Sequence, residues 1–294
     1  MRAARLLWPA LAVCAMAVSG CGGGSGNAAA EPVAPAEPPA EVDAADFATA
    51  RFSESTTVDN AWFPLRPGTR HVYEGSSVED GERLQHRVVF TVTDLTKMVA
   101  GVEAVVVWER DYTSGELVEA ELVFLAQDDG GNVWHLGQYP EEYENGRFAK
   151  TPTWIAGVRG ARAGVYIRAE AREGADYSQG FAPPPINWVD RAHVSNTGTH
   201  TCVPAGCFDD VVIVSEYETG KPDAYQLKYY APGVGNVRVG WKGSKEDSRE
   251  VLVLTERRQL SAEQLADARA AALELERDAY RRSPAVYGTT APAR

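Results

Sequence analysis

Apolar and polar residues alternate in four short stretches, and this pattern limits the fold of the chain more than any other feature. The stretches are residues 84–92, 102–108, 118–124 and 133–139. A period of two predicts half-buried strands. Because only short polar turns separate them, the pattern favours an antiparallel meander over βαβ units.

The alternation also predicts which side chains face the core. In the second stretch the inward residues are expected to be Val102, Ala104, Val106 and Trp108. Glu119 and Glu121 are expected to point outward. His86 is expected to point inward as a buried neutral imidazole satisfied by a neighbour, with a ligand or a general base as the alternative.

Further strands are predicted along most of the remaining chain. They are expected at residues 164–169, 188–194, 211–217, 224–230, 234–241 and 249–256. No helical period appears between residues 47 and 258, so this segment is predicted to be one mainly β domain. Its fold class is an antiparallel meander that forms a strongly curved sheet or barrel.

A single helix is predicted at the carboxyl end, over residues 259–282. Ser261 and Gln264 fit a capping box. A thin apolar stripe follows at spacings of three and four, formed by Leu265, Ala268, Ala272, Leu275 and Ala279. We expect the helix to lie against the barrel or its mouth and residues 283–294 to be a disordered tail.

The amino-terminal residues have the order of a secretory signal peptide. Arg2 and Arg5 precede an uncharged apolar run over residues 6–18, and small residues follow it. The run is shorter than the about 20 residues that cross a bilayer. Residues 1–20 are therefore predicted to be a signal peptide. The alternative to the lipid anchor described next is an ordinary secreted protein in which Cys21 occurs by chance.

The end of that segment, Val18-Ser19-Gly20-Cys21, resembles the lipobox of bacterial lipoprotein precursors. The resemblance implies a diacylglycerol on the Cys21 sulfur and cleavage just before it. It places the protein in the cell envelope, anchored to a membrane and facing outside the cytoplasm. Gly22 implies the outer membrane if the cell has two, because some bacteria read an acidic residue there as an inner-membrane retention signal.

Residues 21–46 are predicted to be a flexible linker behind that anchor. They are rich in Gly, Ala, Pro and Glu and contain no aromatic residue. Such a segment buries too little apolar surface to offset its ordering entropy.

The charge of the chain excludes some partners. The net charge is −12, and removal of the signal peptide takes away Arg2 and Arg5 and no acid. A protein this acidic is repelled by phosphate, so we expect no nucleic-acid partner. The expected partners are a membrane, through the lipid anchor at Cys21, and a small or lipid-like ligand. The sequence leaves the oligomeric state open.

Cys202 and Cys207 are predicted to form a disulfide across the loop Val-Pro-Ala-Gly. Cys14 leaves with the signal peptide and Cys21 is acylated, so these two cysteines form an even pair in an oxidising compartment. The alternative is a metal site completed by His200, but it would need a fourth ligand. We therefore expect no metal.

Other polar clusters have ordinary explanations. Asp128, Asp129 and Asn132 could bind calcium, but the EF-hand spacing is absent and the sequence is typical of a hairpin turn. Glu141, Glu142 and Glu144 are interpreted as a solvated turn. The tryptophans of the body are expected to be core residues, with the lining of a ligand cavity as the alternative.

No catalytic residue or cofactor is predicted. The chain contains no nucleophile elbow, no phosphate-binding loop and no dinucleotide fingerprint. Paired carboxylates for glycoside hydrolysis remain open, since they need only be close in space. The chain is therefore expected not to be an enzyme.

The body of the chain resembles an uncharacterised family of secreted bacterial β-rich proteins. Four segments carry the resemblance: Asp-Asn-Ala-Trp-Phe-Pro-Leu at 59–65, Trp-Ile-Ala-Gly-Val at 154–158, Val-Pro-Ala-Gly at 203–206 and Tyr-Tyr-Ala-Pro-Gly-Val-Gly at 229–235. They span residues 58–239 and imply a domain boundary but no activity.

These observations together predict a lipid-anchored envelope protein that binds a small or lipid-like ligand without catalysis. The alternatives are an envelope interaction or scaffold protein and a hydrolase of envelope glycan or lipid.

Overall fold

The structure is a computed structural model that describes residues 47–294. The signal peptide 1–20, the lipidation site Cys21 and the linker 21–46 lie outside the described residues, so those predictions stay predictions. No helix within the described part of the chain has the length and apolar character needed to cross a membrane.

Fifteen strands form one sheet across the described residues. The first eight are β1 (Thr69–Glu79), β2 (Glu82–Val99), β3 (Val102–Thr113), β4 (Glu116–Gln127), β5 (Val133–Glu144), β6 (Arg147–Lys150), β7 (Trp154–Ile155) and β8 (Arg162–Ile167). The others are β9 (Asp176–Ser178), β10 (Gly180–Phe181), β11 (Asp190–Val203), β12 (Gly206–Glu218), β13 (Tyr225–Ala231), β14 (Gly235–Lys242) and β15 (Val251–Gln259). Two helices follow, α1 (Ala262–Arg282) and α2 (Pro284–Tyr287).

The sheet consists of two antiparallel meanders joined side by side. The strand order is β10-β8-β5-β4-β3-β2-β1-β15-β14-β13-β12-β11-β9, so the last strand of the chain returns to pair with the first. The predicted fold class, mainly β with an antiparallel, strongly curved sheet and one long carboxyl-terminal helix, is confirmed.

The sheet curls until its two edge regions nearly meet. Gln179 lies between β9 and β10 and joins both sides. Its side-chain amide donates to the Tyr166 carbonyl of β8 at 3.3 Å and to the Glu216 carboxylate of β12 at 3.0 Å. The sheet is therefore a nearly closed, barrel-like structure with a concave interior.

Helix α1 begins where the capping box predicts. The Ser261 hydroxyl accepts from the Gln264 backbone N–H at 3.2 Å, and the Gln264 side chain accepts from the Ser261 N–H at 3.1 Å. Its buried residues are Ala268, Ala272, Leu275, Glu276 and Ala279. The carboxylate of Glu276 binds the Lys97 ammonium of β2 at 2.8 Å, so the helix packs on the face of the sheet that carries Lys97.

Residues 283–294 are not a disordered tail, and that prediction is wrong. The Tyr287 side chain is fully buried and contacts the rings of Phe124 and Tyr139. Arg294 exchanges two backbone hydrogen bonds of 3.0 Å with Thr96. The segment is short and rich in Pro, Ala, Gly and Thr, so its sequence shows no period that would have predicted the burial of Tyr287 or the pairing of Arg294.

The facing of β3 and β4 is the reverse of the predicted one. Val106 pairs with Phe124, whose ring touches Tyr287, so the apolar alternate residues face α1 and α2 on the convex side. Glu119 and Glu121 are buried on the concave side instead of exposed. The reason is that helices α1 and α2 cover the face of these strands that carries Val106 and Phe124.

The predicted solvated turn at residues 141–144 is also wrong. Strand β5 continues to Glu144, and the turn is confined to Asn145 and Gly146. Glu141 and Glu142 are buried. Glu141 accepts hydrogen bonds from the Tyr139 and Tyr143 hydroxyls and from Arg282 of α1, which explains its place under the helix.

Candidate functional site

The concave face of β3–β5 carries a layer of buried acids. Cross-strand pairing places Glu109 opposite Glu121 and Asp111 opposite Glu119. Glu119 is in turn opposite Glu142 of β5. Like charges directly opposite each other in a ladder are destabilising, so this arrangement costs the fold free energy. We call these five residues the acid layer.

The opposite wall of the interior supplies two more acids and a base. Glu216 of β12, Lys228 of β13 and Glu250 beside β15 are each buried. The Lys228 ammonium lies 3.9 Å from a Glu216 carboxylate oxygen. Its charge also lowers the pKa of Glu109, which is five strands away in sheet order. The two walls therefore face each other across the interior.

His86 is the second base of the interior, and its environment differs from the predicted neutral one. Its Nε2 forms a short contact with Asp111, and its Nδ1 lies 2.7 Å from Glu250. Burial by itself lowers the pKa of the imidazole, but Asp111 and Glu250 outweigh this effect and raise the pKa from 6.5 to about 11. His86 is thus an imidazolium held between two carboxylates, and the expectation of a neutral ring is wrong.

The carboxyl groups of the acid layer hold their protons tightly. Burial and the neighbouring Asp111 and Glu250 raise the pKa of Glu109 to about 8, although Lys228 opposes the shift. Burial and the surrounding acids raise the pKa values of Glu119 and Glu121 well above 4.5. At neutral pH Glu109 is therefore mostly a carboxylic acid.

Several oxygens of the layer have no hydrogen-bond partner. Both carboxyl oxygens of Glu121, which is 1% exposed, lack a donor within the described chain. So do one oxygen of Glu119 and one of Asp111. Buried polar atoms without partners cost free energy. Several carboxyl oxygens of the acid layer are thus left without a partner among the described residues.

A pocket of about 330 Å³ opens where β1–β5 end, and we call it the mouth pocket. Its acidic lining residues are Glu79, Asp80, Glu82, Glu116 and Glu144. Its apolar walls are Leu84, Leu117, Val118 and Tyr143. No lysine or arginine lines it. The remaining lining residues are Thr113, Ser114, Asn145 and Gly146.

The mouth pocket adjoins the acid layer. Thr113 lines the pocket and precedes the turn after β3, with Asp111 two residues earlier on the same face. Thr113 is also paired with His86 in the ladder. Burial raises the pKa of Glu79 in the pocket wall, while His86 and a hydrogen bond to Thr113 lower it. The pocket and the layer therefore share one electrostatic environment.

The predicted disulfide is present between Cys202 and Cys207, with an S–S distance of 2.07 Å. It joins directly paired residues of β11 and β12 at the end of their hairpin. The His200 Nε2 lies 3.3 Å from the Cys202 sulfur. The disulfide and this histidine lie on an exposed hairpin.

The aspartates considered for calcium serve the turn before β5. Asp128 accepts from the Asn132 N–H at 2.9 Å and from the Trp134 indole at 2.8 Å. Asp129 accepts from the Ser53 N–H and hydroxyl. Both carboxylates are therefore engaged in holding the turn before β5 and the segment around Ser53.

The acid layer was not predicted from the sequence, although four of its acids flank one short turn. Glu109 and Asp111 precede the Ser114-Gly115 turn, and Glu119 and Glu121 follow it. A plain reflection across this turn would set Glu109 opposite Ala120 and Asp111 opposite Val118. A register shift between Asp111 and Tyr112 brings the four acids into two opposed pairs instead. Such pairs are unfavourable on a plain solvated face, which is the hint that they serve another purpose.

No family model matches the chain, and no curated protein matches it. The resemblance of residues 58–239 to a secreted family therefore stays a prediction.

Two solved structures are similar to the described fold. One is a protein from Bacteroides fragilis, described as exported and with a YmcC-like fold. It is 16% identical, covers 68% of this chain and 100% of its own, and has a TM-score of 0.41. The other is a protein described as a lipoprotein from Parabacteroides distasonis, 14% identical over 68% of this chain and 99% of its own, with a TM-score of 0.36. At this level the two likenesses carry no argument about what the chain does.

Proposed function

We propose that this protein is a non-catalytic binding protein of the cell envelope that takes a small organic cation into its mouth pocket. The protein is held on a membrane by a lipid at Cys21 and faces outside the cytoplasm. The single observation that supports the ligand class most directly is the lining of the mouth pocket, with five acids and no base.

The charge of the site favours a cation. Clefts lined by one sign of charge between low-dielectric walls concentrate ions of the opposite sign. The five acids of the rim adjoin the acid layer, where several carboxyl oxygens have no partner within the described chain. These oxygens suit a ligand with several N–H donors. An ammonium or guanidinium group has such donors.

A metal ion fits this site less well than an organic cation. Among residues 47–294, the only three His, Cys, Asp or Glu side chains whose ligand atoms all lie within 4.8 Å of one another are His200, Cys202 and Cys207. Hard cations need several oxygens around one point. The carboxylates of the mouth and the acid layer are more widely spread.

The apolar walls and the volume of the mouth pocket limit the size of the ligand. Leu84, Leu117, Val118 and Tyr143 offer contact for an alkyl chain. At about 330 Å³ the pocket is at the small end of ligand sites. We infer a short amphiphilic amine rather than a full lipid.

The absence of catalysis is part of the proposal. Both ring nitrogens of His86 are engaged by Asp111 and Glu250, and the ring is already charged. A general base needs a neutral nitrogen within reach of a substrate. The state of His86 therefore supports binding rather than proton abstraction.

The test is isothermal titration of the protein purified from its host with n-hexylammonium. We expect binding of n-hexylammonium and none of n-hexanol or n-hexanoate at the same concentrations. Replacement of Glu79 and Glu116 by Gln should weaken binding about fivefold to thirtyfold, since each of the two charges contributes about 0.5 to 1 kcal/mol. Glu274→Gln, on the exposed face of α1, is the matched control and should leave the affinity unchanged.

Equal binding of hexanoate and hexylammonium would contradict the proposal. So would an affinity for hexylammonium that the paired Gln substitutions leave intact.

A further inference from the structure

Four side chains with metal-site chemistry share one face of the β11–β12 hairpin. Cys202 and Cys207 are direct cross-strand partners. His200 precedes Cys202 by two residues and Asp209 follows Cys207 by two. Because alternate residues of a strand share a face, the four side chains are brought together by the hairpin itself.

Two contacts hold the imidazole of His200 between the Asp209 carboxylate and the Cys202 sulfur. The Asp209 carboxylate lies 2.7 Å from Nδ1 of His200, and Nε2 of the same ring lies 3.3 Å from the Cys202 sulfur. A carboxylate on one ring nitrogen fixes the orientation of the other, which is the arrangement behind histidine ligands of zinc. His200 is thus aimed at the sulfurs.

We propose that this hairpin is a redox-gated zinc site, closed by the Cys202–Cys207 disulfide and opened by a dithiol reductant. Reduction transfers two electrons and two protons to the disulfide, giving two thiols, while the reductant becomes a disulfide. Zn²⁺ then binds two thiolates and Nε2 of His200 and releases the two thiol protons. A water molecule takes the fourth position.

The distances agree with this coordination. A sulfur at about 2.3 Å and a nitrogen at about 2.0 Å from one tetrahedral zinc are about 3.5 Å apart. The separation of 3.3 Å between Nε2 and the Cys202 sulfur is close to that value. All three ligand atoms already lie within 4.8 Å of one another, so only the sulfurs must separate.

Only the reduced hairpin can bind zinc in this way, because the metal needs thiolates. Zinc is bound by thiolates, and sulfurs joined to each other have no thiolate charge to offer. All three ligand residues are exposed, so reductant and metal can reach them without unfolding of the body. The site is independent of the mouth pocket, and its test is separate from that of the proposed function.

The experiment uses Co²⁺ as a spectroscopic probe of the protein purified from its host. After reduction with a phosphine we expect one equivalent of Co²⁺ to give thiolate-to-cobalt charge-transfer absorption, which Zn²⁺ abolishes by displacement. The oxidised protein should give no such absorption. The double substitution Cys202→Ser and Cys207→Ser should remove it.

Three single substitutions examine the role of the histidine and its carboxylate. His200→Gln should weaken Zn²⁺ binding by the reduced protein at least tenfold, whereas His193→Gln, the same change earlier in β11, should not. Asp209→Asn should weaken it about tenfold without altering the Co²⁺ spectrum, because second-shell partners typically contribute 10–100-fold. Asp209→Glu should restore most of the loss.

The proposal is overturned if the reduced protein gives no charge-transfer absorption. It is also overturned if the oxidised protein or the double serine variant gives the same absorption as the reduced protein. Equal Zn²⁺ affinity of the His200→Gln and His193→Gln variants would remove the histidine from the site.

Discussion

At the scale of single residues, Glu121 illustrates what the interior costs the protein. Its two carboxyl oxygens are buried without hydrogen-bond donors, and Glu109 lies directly across the ladder. Removal of a carboxylate charge at such a position relieves both burial and like-charge repulsion. The acid layer is therefore maintained against stability, which is typical of sites that serve a function.

These residues give the free energy of unfolding a defined dependence on pH. The pKa values of Glu109, Glu119 and Glu121 are raised above the unfolded value of 4.5. Above about pH 4.5 the folded protein therefore binds more protons than the unfolded chain, and stability falls as pH rises. For Glu109 this loss extends through its pKa of about 8.

His86 acts in the same direction at higher pH. Its folded-state pKa of about 11 lies above the ordinary 6.5. The stabilisation by its two carboxylates is complete below about pH 6.5 and is lost as the pH rises toward 11.

We predict that the protein is more stable at pH 5 than at pH 8, and that Glu121→Gln reduces this difference. At pH 8 the variant should gain about 1 to 3 kcal/mol, because a buried carboxyl is replaced by a neutral isostere. Urea unfolding at both pH values measures it, with Glu274→Gln as the control on an exposed face. A variant that is less stable than the wild type at pH 8 would contradict the prediction.

At the scale of elements, the carboxyl-terminal segment is an integral part of the structure. Tyr287 packs on Phe124 and Tyr139, and its ring also lies 4.2 Å from the Lys97 ammonium. The ring thus covers the buried pair of Lys97 and Glu276 between the sheet and α1. Loss of the ring would leave both a cavity and a partly uncovered charge.

We predict that Tyr287→Ala lowers the free energy of unfolding by about 3 to 5 kcal/mol, as truncation of a buried aromatic residue does. Tyr287→Phe is the matched control and should cost less than about 1.5 kcal/mol, since it removes only the hydroxyl contact to Glu276. Chemical denaturation measures both. Equal stability of the alanine variant and the wild type would mean that residues 283–294 are not packed as described.

The existence of the elements could be predicted from the sequence, but the direction of their faces could not. The alternation of apolar and polar residues predicted β2, β3 and β4, and the capping box at Ser261 predicted the start of α1. Alternation alone does not say which face of a strand a helix will cover. The apolar residues Val106 and Phe124 therefore had two possible orientations, and the choice depends on contacts with Tyr287, more than 160 positions away.

The acid layer could not be predicted from the sequence for the same reason. Once the apolar face of β3 and β4 belongs to the helix, Glu109 and Glu121 must occupy the concave interior. Lys228 and Glu216 reach them only through the curvature of the whole sheet, which joins strands far apart in the chain. By contrast, the disulfide was predictable because its two cysteines lie on one local hairpin.

At the scale of the whole molecule, the predicted membrane attachment depends on one sulfur, that of Cys21. Two acyl chains give stable anchoring, because each buried methylene contributes about 0.8 kcal/mol. Cys21→Ser should therefore abolish acylation and move the protein from the membrane fraction to the soluble fraction. Fractionation followed by immunoblotting measures the change, with Cys207→Ser as the control cysteine substitution, and retention of Cys21→Ser in membranes would contradict the anchor.

The entry of the chain into the sheet has a consequence for orientation. Phe47 and Phe52 pack on Trp134 near the start of β5, while Tyr143 and Glu144 at its other end line the mouth pocket. About ten residues of extended strand separate the two ends by roughly 33 Å. A tether from Cys21 would therefore join the body at the end of β5 opposite the acidic opening. The proposed lipid anchor and the proposed ligand would then use opposite ends of the same strand, so attachment to a membrane would leave the opening accessible from solution.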